Sequence, residues 1–199
     1  MTNLILASAS PRRRQMLCDM GVPFRVMVSD ADENVNETSP EAFCLAVAEK
    51  KAQAVLPLVE KGEVVIACDT VVALGDTILG KPADRADAVR MLHLLSGRGH
   101  RVISALCVTN GEKTIQKASV TEVFFRDLTK EEIEAYVATG ESDDKAGSYG
   151  IQGLGGLFVK GICGDYQTVV GMPLAMLYEI LKNEFSFDML NQSSVKEGV

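Results

Sequence analysis

The sequence predicts an α/β fold, a mixed twisted sheet with flanking helices arranged as two lobes around a cleft. Three observations carry that prediction. Up to Leu95, short β-type apolar runs alternate with helical patterns, the order of an α/β protein. From Arg101 the texture changes to two long β-type runs joined at Asn110-Gly111, a hairpin signal that makes the sheet mixed. The 199 residues are 47% hydrophobic and 24% charged, enough to fill the core of one domain.

Residues 4–7 (LILA) read as a buried strand. Ser10 then caps a helix that opens at Pro11 and ends near Gly21, a residue suited to the position after a helix. Residues 24–28 form a second strand, and "SDADENVNETSP" is an acidic loop. Ser39-Pro40-Glu41 starts an amphipathic helix to about Leu56. The β-branched run 64–68 is the central strand, continuing through Asp69-Thr70 into 71–74. A helix over 83–95 puts Met91, Leu92 and Leu95 on one face. After the hairpin, Thr129 caps a helix to about Ala138, with Glu131 and Glu132 in its first turn. The glycine-dense "DKAGSYGIQGLGG" leads to a strand at 157–159. Met172-Pro173 opens a last helix ending near Lys182. One domain is expected over 1–185, its second lobe roughly 101–160, followed by a loose polar tail over 186–199.

The formal charge of −7 argues against a general nucleic-acid surface, which needs a positive footprint, but not against one basic pocket. Five widely spaced cysteines, Cys18, Cys44, Cys68, Cys107 and Cys163, read as reduced thiols, not as a disulfide framework. No run approaches the ~20 apolar residues of a membrane span, and no leader peptide is visible. The expectation is a cytoplasmic protein without a membrane partner. His93 and His100 lack the Cys or acidic spacing of a zinc site.

Neither the P-loop nor the dinucleotide-binding glycine pattern occurs. Polar clusters stand instead at the ends of apolar strands, where open α/β sheets bind ligands. Ser8-Ala9-Ser10-Pro11-Arg12-Arg13-Arg14 puts three cations at a helix start, which is unfavourable unless an anion binds there. An exposed turn with solvated arginines is the other reading. Asp69, leaving a buried strand, suits water activation or metal binding, or else caps a turn. Asp32 and Glu33 add carboxylates from a loop that reads equally as solvated. Lys51, Lys81 and Gln152 are surface residues by default. The glycines around Gln152, however, cost backbone entropy that a close ligand approach would explain.

Taken in order, Ser10-Pro11-Arg12-Arg13, Glu33, Lys51-Ala52, Asp69-Thr70, Gly80-Lys81-Pro82, Ser96-Gly97 with His100, Asp144-Lys145-Ala146-Gly147, Tyr149-Gly150-Ile151-Gln152-Gly153, Gly164-Asp165-Tyr166 and Val170-Gly171-Met172-Pro173 resemble the Maf family. The resemblance spans roughly residues 3–182. It implies a nucleotide-binding cleft between the lobes and hydrolysis of a nucleoside triphosphate to the monophosphate and pyrophosphate. A divalent cation, Mg or Mn, would assist, and a homodimer is a family-level expectation. By this resemblance Asp69 is the base, and Ser8, Arg13, Lys51 and Lys81 meet the phosphates. Glu33 and Asp69 hold the metal. Arg12, Thr70 and Gln152 mark the dTTP/UTP branch over the one acting on 7-methyl-GTP. Cys68 stands where a smaller residue is usual and should pack behind the strand. Lys50, often acidic or amide in relatives, either tightens phosphate binding or faces solvent. A nucleotide-binding regulator of cell division that turns nothing over is the alternative of a different class.

Overall fold

The computed structural model describes residues 3–192, and its seven strands form one sheet. Local signals set the first elements. β1 (Leu4–Leu6) is wholly buried, Ser10 caps α1 (Pro11–Asp19), and β2 (Phe24–Val26) follows. Ser39 caps α2 (Pro40–Val55), its hydroxyl accepting the Ala42 N–H. β3 (Val64–Leu74) is the long central strand, followed by β4 (Thr77–Leu79), α3 (Arg85–Leu95), β5 (Gly99–Thr109) and β6 (Thr114–Phe125). α4 (Lys130–Ala138) starts in a full capping box between Thr129 and Glu132. β7 (Val159–Cys163), α5 (Tyr166–Val170), α6 (Leu174–Phe185) and α7 (Met189–Gln192) complete the fold.

The strand order is β2-β1-β3-β5-β6-β7, with β4 also paired to β3. β1 runs parallel to β2 and β3, and the remaining pairs are antiparallel, so the sheet is mixed as expected. β5 covers one edge of β3 from Val65 to Ala73. The other edge is shared. β1 reaches only to Ile66 and β4 begins only at Val72, so residues 67–71 have no strand beside them. That notch in the sheet is where a ligand can reach the backbone of the central strand.

Side chains along β3 alternate between faces. Val65, Ala67, Val71 and Ala73 pack with Cys44, Ala48 and Ala52 of α2. Val64, Ile66 and Cys68 join Leu17 and Leu177 from α1 and α6. Further along that second face Val72 belongs to another core, built with α3, α4, Tyr149 and Phe158. The same alternation sends Asp69 toward α2 and Thr70 to the opposite face.

Several sequence expectations need correction. The central strand runs through Val64–Leu74 as expected, so Asp69 lies in its middle and does not leave it as a strand-end carboxylate would. The strand expected at 157–159 starts at Val159, and residues 154–158 form a tight 3-10 turn. The second core draws on more of the chain than 101–160. β3 and β5 run through both ends of one sheet, and the second core also takes Leu79 and α3. The chain does not loosen at 186: Phe187 and Met189 are buried in the first core beside α6. Residues 193–199 of the expected tail lie outside the described residues.

The second core encloses His100, which is 3% exposed. Its ring packs edge-on against Phe125 and Tyr149, and its Nε2 sits 2.8 Å from the Tyr149 hydroxyl. Nδ1 is buried with no partner among the described residues. Burial pulls the His100 pKa down to about 4, so the folded protein holds a neutral ring. Between pH 6.5 and 4 the unfolded chain takes up a proton that the folded chain refuses. The stability present above pH 6.5 is therefore lost as pH falls toward 4, by about 3 kcal/mol. Urea unfolding of the wild type and His100→Phe at pH 7, 5 and 4 should show the wild type losing about 3 kcal/mol more than the variant, since the carboxylates held low by the fold titrate in both.

Candidate active site

The notch in β3 brings Asp69 up against α2. Lys51 follows Val47 by four positions and Ala48 by three, which places it on the apolar face of α2. Its ammonium lies 2.8 Å from Asp69 Oδ1 and 3.0 Å from Glu33 Oε1. The Lys51 and Asp69 side chains are only 14% and 12% exposed, whereas Glu33 is 61% exposed. A buried lysine thus ties the strand carboxylate to the acidic loop. Asp69 Oδ2 has no protein donor among the described residues, so one oxygen stays available to the cleft. Lys50 binds the Asn34 carbonyl at 2.5 Å and steadies the loop, and it does not line the cleft.

The arginine turn divides its labour. Arg13 shares the buried face of α1 with Met16 and Leu17, at spacings of three and four. Its Nε donates to the Gly171 carbonyl at 2.9 Å, Nη2 to Thr70 Oγ1 at 2.9 Å and Nη1 to Ser8 Oγ at 3.3 Å. No carboxylate of the described residues lies within 4.0 Å of it. A buried cation with no counter-charge is expensive unless an anion completes it. Arg12 is half-buried and faces Asp144 at 3.6 Å. Arg14 is exposed. The Ser8 hydroxyl also accepts the Ser10 N–H, and Ser10 Oγ accepts the Arg13 N–H, so part of the turn's donor set is already spent on itself. Cys68 packs behind the strand as expected, with its thiol on the Gly171 carbonyl at 3.1 Å.

The glycine-rich loop faces this turn. Glu141, just past α4, accepts the Leu154 N–H at 2.9 Å, the Gly155 N–H at 3.2 Å and the Tyr136 hydroxyl at 3.1 Å. Tyr136 in turn accepts the Gly150 N–H at 3.2 Å, so both ends of the loop are pinned to one cluster. Burial alone raises the Glu141 carboxyl, but the two amides, the Tyr136 hydroxyl and Lys145 outweigh it and hold its pKa below the usual carboxylate range. These contacts explain two glycines: a Cβ on Gly153 would meet the Glu141 carboxylate at 2.5 Å, and one on Gly155 would meet the Gly150 carbonyl at 2.8 Å. Gln152 is exposed in this loop and lines the cleft, its amide without a partner among the described residues. Glu141 reads in the sequence as one more solvated acid, and only the density of glycines after it signals a close neighbour.

Ser8, Arg12, Arg13, Glu33, Lys51, Asp69, Thr70, Lys81 and Gln152 all line one cleft of about 860 Å³. The structure thus brings together the nine site residues that the family resemblance implies, while Asp32 and Arg14 do not line the cleft. Lys81 is exposed and makes no ion pair among the described residues. Two carboxylates, Glu33 and Asp69, meet on one ammonium, but the described residues contain no group of three or more His, Cys, Asp or Glu able to cage a metal. No described helix is long and apolar enough to cross a membrane.

A mixed α/β sheet, a notch presenting a carboxylate, and a cleft rimmed by cations define a protein built to set a polyanion against a carboxylate. The family model for Maf-like proteins matches residues 3–184, and the chain belongs to that family. It is 48% identical over 183 residues to a dTTP/UTP pyrophosphatase of Bacillus cytotoxicus, covering 92% of this chain and 95% of that one. A dTTP/UTP pyrophosphatase of Thermococcus onnurineus is 48% identical over 177 residues, 89% of this chain and 95% of that one. The solved Staphylococcus aureus Ham1 protein superposes with a TM-score of 0.49 at 14% identity, over 96% of this chain and 94% of that one, too distant to carry an argument.

Proposed function

We propose that this chain hydrolyses dTTP and UTP to the nucleoside monophosphate and pyrophosphate. The observation that carries the reading is Asp69: a carboxylate in a notch of the central strand, held by Lys51 on one oxygen and open to the cleft on the other. Mere binding of a nucleotide needs cations but no base, so this carboxylate favours an enzyme over a non-hydrolysing regulator. The names of the relatives at 48% identity support the substrate class.

Asp69 Oδ2 accepts a proton from the attacking water and directs it at the α-phosphorus. Arg12, Arg13 and Lys81 draw in the triphosphate, and Lys81 is the cation with least to give up, since among the described residues it has neither the acidic partner of Arg12 nor the hydrogen bonds of Arg13. Lys51 keeps the Asp69 carboxylate aimed while charge builds on the phosphates. Glu33 and Asp69 would hold a divalent cation, magnesium or manganese. Two carboxylates completed by phosphate oxygens and water are the usual setting of such an ion. When bound, it supplies charge neutralisation along the triphosphate. The five free thiols fit the reducing cytoplasm.

Hydrolysis of UTP in heavy-oxygen water tests the reaction. Equimolar UMP and pyrophosphate with the label in UMP is the expected result. Label in pyrophosphate would move the attack to the β-phosphorus, and tight UTP binding without release of pyrophosphate would favour the regulator.

A further inference from the structure

Thr70 belongs to a row of hydroxyls that crosses three strands. It pairs with Ser104 of β5, and Ser104 pairs with Ser119 of β6. On this face the row separates two apolar cores, with Cys68 and Leu106 on one side and Val72 and Val102 on the other. Thr168 of α5 covers it, its hydroxyl 2.8 Å from Ser119 Oγ and 2.8 Å from Asp165 Oδ2. Ser104 and Thr168 are fully buried, so each proton there must be given to a definite acceptor.

The direction of each bond follows from which groups can only accept or only donate. Ser104 Oγ lies 2.8 Å from the Thr168 carbonyl, which can only accept, so the Ser104 proton goes there. The 2.8 Å contact between Ser104 and Thr70 then takes the proton of Thr70. Arg13 Nη2, which can only donate, fills one Thr70 lone pair at 2.9 Å. The reverse order would send the Thr70 proton to the Gly171 carbonyl at a longer 3.2 Å and leave the Thr168 carbonyl without its donor. In either order the Thr70 proton points into the protein. In the favoured order Arg13 fills one Thr70 lone pair and the second is left for the cleft, whereas in the reverse order Ser104 and Arg13 would fill both.

We propose that Ser104 is a positioning residue that locks Thr70 as a hydrogen-bond acceptor and so selects a base carrying an N–H. This rests on the dTTP/UTP reading above. Uracil and thymine present N3–H to such an acceptor, whereas cytosine presents a bare N3, and two lone pairs face each other. The Gln152 amide can turn either end to the base and cannot make that choice alone. The Thr70 hydroxyl cannot turn, because Ser104 holds its proton.

The test is kcat/KM for UTP and CTP in the wild type, Ser104→Ala, Ser104→Cys, Thr70→Ser, Thr70→Val and the double variant Ser104→Ala/Thr70→Val, with melting temperatures alongside. Ser104→Ala leaves the Thr70 proton only the Gly171 carbonyl, at 3.2 Å and already taken by Arg13 Nε and the Cys68 thiol, so the hydroxyl can turn and donate to the cleft, and the UTP/CTP ratio should fall by about tenfold or more. The near-isosteric Ser104→Cys, a weaker partner, should lower the ratio too and guards against misfolding of the alanine variant. Thr70→Ser keeps the hydroxyl and the ratio. The double variant should show the ratio of Thr70→Val alone, since Ser104 acts through Thr70. An unchanged ratio in both Ser104 variants, whatever the melting temperature, overturns the proposal. So do effects of Ser104→Ala and Thr70→Val that multiply in the double variant, or a wild type that does not separate UTP from CTP. A wild type preferring ATP or GTP to UTP overturns the dTTP/UTP reading instead, and the UTP/CTP ratios still decide for Ser104.

Discussion

Asp69→Asn lowers kcat for UTP by about 10²–10⁴ and leaves KM within a few-fold, the loss expected when a general base is removed and its shape retained. The amide oxygen can still accept from Lys51 where Asp69 Oδ1 now lies, 2.8 Å from the ammonium. Lys51 also keeps Glu33 at 3.0 Å, so no buried lysine is stranded. The melting temperature should therefore move little, and the lost turnover reports chemistry. Single-turnover kinetics at saturating UTP and a thermal melt check both halves. A folded Asp69→Asn protein with near-normal kcat would move the base elsewhere, and Glu33, the other carboxylate on Lys51, would be the next to substitute.

What the sequence made legible is what local rules decide. Ser10, Ser39 and Thr129 cap their helices because a hydroxyl before a helical run meets orphan N–H groups whatever the tertiary fold. The alternation of strands and helices gave the class for the same reason. What stayed hidden depends on partners distant in the chain. β4 is three residues long and exists through its pairing with β3. The notch around Asp69 comes from where β1 stops and β4 starts, which nothing near Asp69 encodes. α5 and α7 are too short to show a period. Among adjacent arginines, the spacing Arg13-Met16-Leu17 did mark the buried one, a signal easily passed over because a cation is not expected on an apolar face. Ser104 reads as one small residue in a β-type run, and its role depends on standing opposite Thr70.

Choice of base should follow from how firmly the Gln152 loop is held. UTP and dTTP should be hydrolysed at least about 10²-fold more efficiently than ATP or GTP. A purine needs room for a second ring, and the loop can retreat only by breaking bonds. Its ends are fastened to Glu141 and Tyr136 by three backbone amides, and Arg12 on the facing turn is drawn to Asp144 at 3.6 Å. Within that slot the Gln152 amide, exposed and without a partner among the described residues, can donate to O4 of uracil or thymine while N3–H meets Thr70. Gln152→Ala should therefore lower kcat/KM for UTP and dTTP by about 10-fold, the effect of one lost hydrogen bond. Rates with ATP and GTP, which never made that contact, should barely change. The preference then shrinks from the pyrimidine side. The measurement is kcat/KM for UTP, dTTP, ATP, GTP and 7-methyl-GTP on the wild type and Gln152→Ala. Equal losses for all five would make Gln152 a loop residue with no part in choosing the base. A wild type that prefers GTP or its methylated form would place the chain in the other branch of the family, with Asp69 still free to serve as the base.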